Sequence, residues 1–140
     1  MTNSFADYKK AKMFILVGTN MTEAHPVAAT FVKDAALAGA KLIVIDPRRT
    51  DLVDFADIHV PLKVGSDVAL INALMNVLIA ENLYDKKYVD TCTTGFEELK
   101  NKVMEYPPER AAEITGIPAD TIRELARTMA SIKPAMLMYT

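Results

Sequence analysis

The sequence predicts a three-layer α/β domain with a mainly parallel sheet and a helical C-terminal half. Three observations carry that prediction. Apolar runs of strand length alternate with helical stripes through residue 82, the pattern that βαβ units write into a chain. From residue 83 to residue 133 the pattern becomes helix and loop alone. Ala135-Met136-Leu137-Met138-Tyr139 then returns as an apolar run of strand length, read as one more buried strand.

The elements follow in order. Lys9 to Lys12 are polar and basic, and the first strand is Met13-Phe14-Ile15-Leu16-Val17. A loop runs from Gly18 to His25, and Pro26 suits a first helical turn, where its missing N–H costs nothing. Val27, Phe31, Ala35 and Leu37 continue a helical stripe that Gly39 ends. The second strand, Lys41-Leu42-Ile43-Val44-Ile45, runs to Asp46, and Thr50 to Ala56 reads as a short helix or turn. Ile58-His59-Val60-Pro61-Leu62 is a short strand with proline at its margin. After the loop Lys63-Val64-Gly65-Ser66-Asp67, in which Ser66 or Asp67 can act as the N-cap, a helix from Val68 to Asn82 is apolar over a wide arc. Short helices follow over 85–90, 95–106 and 108–115, and an amphipathic helix runs from Ala119 to Ser131. The run at 135–139 leads to Thr140, and a parallel strand ordinarily feeds a functional loop, so the 140 residues read as one domain excised from something larger.

Composition narrows the function classes. A net charge of −2 without a basic run speaks against a nucleic-acid binder. No apolar run approaches a membrane span, and no signal-peptide core is present, which makes the cytoplasm the default compartment. A single cysteine, Cys92, leaves this chain unable to form an internal disulfide or a cysteine-rich cluster site by itself. It reads as a half-buried helix-end residue.

Ligands of open parallel sheets bind outside the carboxyl ends of the strands. Gly18-Thr19-Asn20 lies at one such end, where glycine lets a ligand approach and helical N–H groups favour phosphate. The three-glycine dinucleotide fingerprint is absent, which disfavours an ordinary NAD site. Asp46 closes the second strand, where a carboxylate can accept ribose hydroxyls; Pro47 stiffens the exit, and Arg48 and Arg49 offer planar forks to phosphate or a purine edge. Asp67 can accept paired N–H bonds from a guanine edge or cap its helix. His25 is a contact candidate, His59 reads as structural, and neither has a partner at metal-binding spacing. Glu23 lacks a visible nucleophile partner, and the methionines read as core filler.

The order of these loops resembles a known family. Thr2-Asn3-Ser4, Val17 to Val27, Gly39 to Thr50 and Gly65 to Leu70 together look like the molybdopterin oxidoreductases. The stretch Thr22-Glu23-Ala24-His25-Pro26-Val27, with Glu81-Asn82-Leu83-Tyr84-Asp85 and Thr94-Gly95-Phe96-Glu97-Glu98, points to the catalytic alpha subunit of formate dehydrogenase. The resemblance covers essentially the whole chain and implies a Rossmann-like domain holding the nucleotide end of a molybdopterin guanine dinucleotide. Two such molecules would carry molybdenum or tungsten in the parent enzyme. By position it assigns cofactor contacts to Gly18, Asn20, His25, Asp46, Pro47, Arg48, Gly65 and Asp67. Val64 and Ser66 stand where family members often carry proline and threonine; Ser66 keeps a hydroxyl there.

The resemblance also implies what lies elsewhere in the parent. A 4Fe-4S cluster needs four cysteines, and the metal-ligating cysteine or selenocysteine and the formate-orienting arginine match no residue here. No catalytic and no metal residue is therefore assigned. Implied partners are the remaining domains, electron-transfer subunits and formate. Three rivals stand beside this reading: another molybdopterin enzyme such as nitrate reductase, a structural module that lost the cofactor, and a plain nucleotide-binding regulator. Gly18, Asn20, Asp46, Arg48 and Asp67 are expected to line one shared crevice.

Overall fold

The computed structural model describes residues 4–139. Thr2, Asn3 and Thr140 lie outside the described residues. The chain forms two compact units, one made of the residues up to Pro61 together with those from Ile132 onward, the other of Leu62–Ser131.

The first unit holds the sheet. Strands β1 (Met13–Val17), β2 (Lys41–Ile45), β3 (Ile58–Val60) and β4 (Ala135–Tyr139) are all parallel, in the order β3-β2-β1-β4. Phe14 and Leu16 of β1 sit in register with Leu42 and Val44 of β2. These four form one buried layer with Ala28, Ala29 and Val32 of α3 (Pro26–Leu37) and Leu52 and Val53 of a 3-10 turn over Asp51–Phe55. The alternate residues Met13, Ile15, Ile43 and Ile45 are buried as well. Apart from Lys41 at the start of β2, both central strands are therefore apolar throughout, as strands buried on two faces are. Each large side chain so buried contributes about 1.5–3 kcal/mol.

The predicted α/β class and parallel sheet are as observed, and four local differences are informative. A short helix α1 (Phe5–Tyr8) precedes β1, started by Ser4, whose N–H and hydroxyl both donate to the Asp7 carboxylate. A second short helix, α2 (Met21–Ala24), occupies part of the expected loop. Strand β3 ends at Val60 because Pro61 has no N–H to continue the ladder. Strand β4 is not the buried strand its composition suggested. It pairs only with β1, at the sheet's edge; Ala135, Leu137 and Tyr139 are exposed, and Met136 and Met138 are half-buried.

The second unit is helical: α4 (Asp67–Ala80), α5 (Lys86–Cys92), α6 (Phe96–Val103), α7 (Pro108–Thr115) and α8 (Ala119–Ser131). Helix α4 packs against α6, α7 and α8. Its Leu70, Ala73, Leu74 and Val77 are buried, as are Ile122, Leu125 and Ala126 of α8. The buried Asn76 donates its amide at 3.0 Å to the Val103 carbonyl at the end of α6, an acceptor that also takes the Tyr106 N–H at 2.9 Å. Arg127 grips Glu81 through two bonds of 2.9 and 2.7 Å. No helix among the described residues is long and apolar enough to cross a membrane.

Candidate functional site

The loop after β1 begins with a left-handed residue. Gly18 has φ +61, and the space a Cβ would occupy is open, so backbone conformation alone selects glycine there. Its N–H donates to the Ile45 carbonyl at 2.9 Å, tying this loop to the end of β2. The Asn20 carbonyl then accepts the N–H groups of Glu23 at 3.2 Å and Ala24 at 3.0 Å, which starts α2. The Asn20 Oδ1 accepts the Thr22 hydroxyl at 2.8 Å, which leaves the amide NH2 as a donor. His25 marks the break between α2 and α3; it is exposed, and its ring bonds to no side chain or carbonyl among the described residues.

The sheet order reverses between β1 and β4, which makes that place a topological switch point. An open groove of about 720 Å³ in this unit is lined there by Thr19, Met21, His25, Met136, Met138 and Tyr139, among others. Thr19, only 4% exposed, had no site role assigned from the sequence. Its signal lay in plain view, between two residues singled out as contacts. Tyr8 also lines the groove; its hydroxyl reaches only the Met138 sulfur, at 3.9 Å, and burial pushes its phenol up.

The loop after β2 is braced. Asp46 is 2% exposed, and its Oδ1 accepts the Arg48 N–H at 2.7 Å, an Asx turn of the kind aspartate favours. The Arg48 Nε lies 3.7 Å from the same oxygen, but its side chain is 69% exposed, so the pair adds little stability and the guanidinium keeps donors for a ligand. Arg49 is engaged otherwise, with Nη2 on Asp54 at 2.6 Å. Pro47 is exposed between them. The His59 Nε2 lies 3.0 Å from the Asp46 carbonyl, which gives His59 the structural contact expected of it. Thr50 Oγ1, at the end of this loop, is the one buried side-chain polar atom without a partner among the described residues.

The third loop belongs to the second unit. Gly65 has φ +80 in a turn with Val64. Ser66 holds the N-cap position, since its carbonyl accepts the Leu70 N–H at 3.1 Å. Its hydroxyl, though, turns back to the Lys63 carbonyl at 2.5 Å and caps nothing. The hydroxyl expected to reach a ligand is thus spent within its own loop. Asp67 is the first residue of α4 rather than its cap; it is exposed, and its carboxylate has no partner among the described residues. The capping role considered for it is overturned by that one-residue shift. What remains is a carboxylate in the first turn of a 14-residue helix, where the helix dipole favours negative charge.

Four of the expected contacts, Gly18, Asn20, Asp46 and Arg48, follow neighbouring parallel strands in one unit. Together they offer a left-handed glycine, an amide NH2 donor, a nearly buried carboxylate acceptor and an exposed guanidinium donor, chemistry suited to the ribose and phosphates of a nucleotide. Among the described residues, no group of three or more His, Cys, Asp or Glu side chains is placed to hold a metal ion. Cys92 closes α5 and is exposed, not half-buried, because the short α5 buries none of its residues.

Comparisons with known proteins identify the family. The molybdopterin oxidoreductase family model matches residues 1–138. Formate dehydrogenase H of Escherichia coli is 41% identical over 139 residues, covering 99% of this chain and 19% of its own length. The alpha subunit of F420-dependent formate dehydrogenase 2 of Methanococcus maripaludis is 42% identical, covering 99% and 21%. A solved structure of acetylene hydratase from Pelobacter acetylenicus superposes with a TM-score of 0.87 at 43% identity, over 98% of this chain and 19% of that one. The chain therefore spans about a fifth of the length of these relatives. A match that runs through the whole strand–loop–helix pattern makes this chain a member of the molybdopterin oxidoreductase family.

Proposed function

We propose that this chain holds the nucleotide end of a molybdopterin guanine dinucleotide within the catalytic subunit of a formate dehydrogenase. The observation that carries the reading is the braced Asp46 with the exposed Arg48, joined through Gly18 to the loop after the neighbouring strand. Gly18, without a side chain, lets a ligand approach the backbone, Asn20 presents its amide NH2 to phosphate, Asp46 accepts ribose hydroxyls, and Arg48 pairs with phosphate or a purine edge. His25 and Pro47 shape the approach within the same unit; Gly65 and Asp67, in the helical unit, are assigned on the family resemblance alone, Asp67 as an acceptor for the paired N–H groups of guanine. The metal held by the pterins, molybdenum or tungsten, supplies the two-electron chemistry that interconverts formate and carbon dioxide, and the protein positions it. A 4Fe-4S cluster, the catalytic ligands and the contacts to electron-transfer subunits belong to the rest of a cytoplasmic parent. This chain by itself is inactive.

A second reading has support of its own. Acetylene hydratase of Syntrophotalea acetylenica is 43% identical and a nitrate reductase of Symbiobacterium thermophilum is 37% identical. The same nucleotide-holding role in another molybdopterin enzyme follows if the formate assignment, which rests on residues 22–27, 81–85 and 94–98, is wrong.

Titrating the chain with GDP and with ADP, followed by NMR, tests the nucleotide reading. GDP should bind in the millimolar range, at about −4 kcal/mol, shifting the amides of Gly18, Asn20 and Arg48, and ADP should bind more weakly. Equal affinities, or shifts confined to other loops, would sink the guanine assignment.

A further inference from the structure

We propose that His59 is a positioning residue for the cofactor loop, donating its Nε2–H to the Asp46 carbonyl and thereby holding the Asp46 carboxylate in its ligand-facing turn. The inference rests on the reading of that loop as a nucleotide site. Its geometry lies entirely within the sheet unit. Asp46 precedes Pro47, and proline has no N–H. The Asp46–Pro47 peptide therefore has a single polar handle, its carbonyl oxygen. The His59 ring takes that handle at 3.0 Å from the next strand, where His59 sits in register with Val44. On the other side, the Arg48 N–H takes the Asp46 carboxylate at 2.7 Å. The residue is thus held at both acceptors, by one donor from β3 and one from its own turn.

The chemistry also decides the proton. A carbonyl oxygen can only accept, so the ring nitrogen facing it carries hydrogen. In the neutral ring this is the Nε2–H tautomer, with Nδ1 bare and, among the described residues, unbonded. Without the ring, the loop loses the anchor that orients its Asx turn on the sheet, and the Arg48 N–H···Asp46 bond of that turn opens more often.

The test uses the full chain and its His59→Leu and His59→Gln variants. Glutamine offers an N–H from a side chain of similar reach, whereas leucine offers none. A denaturant melt first establishes that each variant folds. In the wild type at about pH 8, above the ordinary imidazole range, nitrogen NMR should show a protonated Nε2 and a bare Nδ1. The Arg48 amide should exchange with solvent about tenfold faster in the leucine variant, with near wild-type exchange restored by glutamine. The GDP dissociation constant should rise about tenfold with leucine and stay within about threefold with glutamine. A bare Nε2, or Arg48 exchange unchanged in a folded leucine variant, overturns the proposal. So does a glutamine variant that fails to restore exchange while folding normally. Should the wild type bind no GDP, the nucleotide reading fails by itself, and the ring-nitrogen and exchange results still decide the clamp.

Discussion

Two aspartates offered as ligand contacts by the sequence have opposite surroundings. Asp46 ends a central strand, is 2% exposed, and is held through its carboxylate by the Arg48 N–H and through its carbonyl by His59. Asp67 opens a helix, is exposed, and its carboxylate touches nothing among the described residues. The difference lies in what each backbone supplies. A strand end inside a parallel sheet has a neighbour strand beside it to reach across and brace it. The first residue of a helix projects from a terminus whose own N–H groups await partners. Asp46 is therefore built into the fold before any ligand arrives, whereas the Asp67 carboxylate has no hydrogen-bond or ion-pair partner among the described residues.

The comparison breaks most visibly one residue away from each aspartate. Ile45 is buried beneath the braced loop and Val68 is 68% exposed beside the free one. Ile45→Ala should cost about 2–5 kcal/mol in a urea melt, and Val68→Ala about 0.5 kcal/mol or less. Similar costs at both sites would mean that the two loops do not differ in their foundations.

Removing the carboxylates is the next test. Asp46→Ala should cost about 1–3 kcal/mol, because it leaves the Arg48 N–H without its acceptor. Asp67→Ala should change stability by no more than about 0.5 kcal/mol while abolishing any preference for GDP over ADP. An Asp67→Ala variant that keeps its GDP preference would end the guanine-reader assignment. A neutral Asp46→Ala would show that the bracing contributes nothing.

The two glycines should behave alike. Gly18 at φ +61 and Gly65 at φ +80 both have open space where a Cβ would lie. Alanine at either position should therefore cost only the left-handed backbone penalty, about 1–2 kcal/mol. A cost at one site several times that at the other would reveal a contact that geometry alone does not require.

A third aspartate gives the smallest effect and a pH signature. Burial pushes the Asp57 carboxyl up, but the Leu42 N–H at 2.8 Å and the Lys41 ammonium at 3.1 Å outweigh it and hold the group below its ordinary 3.8. A depressed folded value means stability that is present above the unfolded pKa and lost as the pH falls through the folded one. Asp57→Asn should therefore flatten the loss of stability below about pH 4. The side chain is 40% exposed, so solvent screens much of the effect. An unchanged acid limb in stability measurements from neutral pH downward would remove Asp57 from that account.

Residue pattern by itself determined most elements and the class of the fold. The apolar runs at 13–17 and 42–45 mark strands, and Pro26 and Gly39 bracket α3 because one lacks an N–H and the other tolerates a helix end. The short helix α1 is also written in Ser4 and Asp7, a capping pair three residues apart. Tertiary structure alone decided the rest. Composition cannot say that β4 is an edge strand, because its five residues would suit a central strand equally well and only the order β3-β2-β1-β4 exposes them. Nor can spacing say that a histidine 13 residues away clamps Asp46, since β2 and β3 bring the two together through a register no local pattern encodes. Local chemistry acts over a few residues and is written in the sequence; which side chain answers a given carbonyl depends on distances that exist only once the strands have paired.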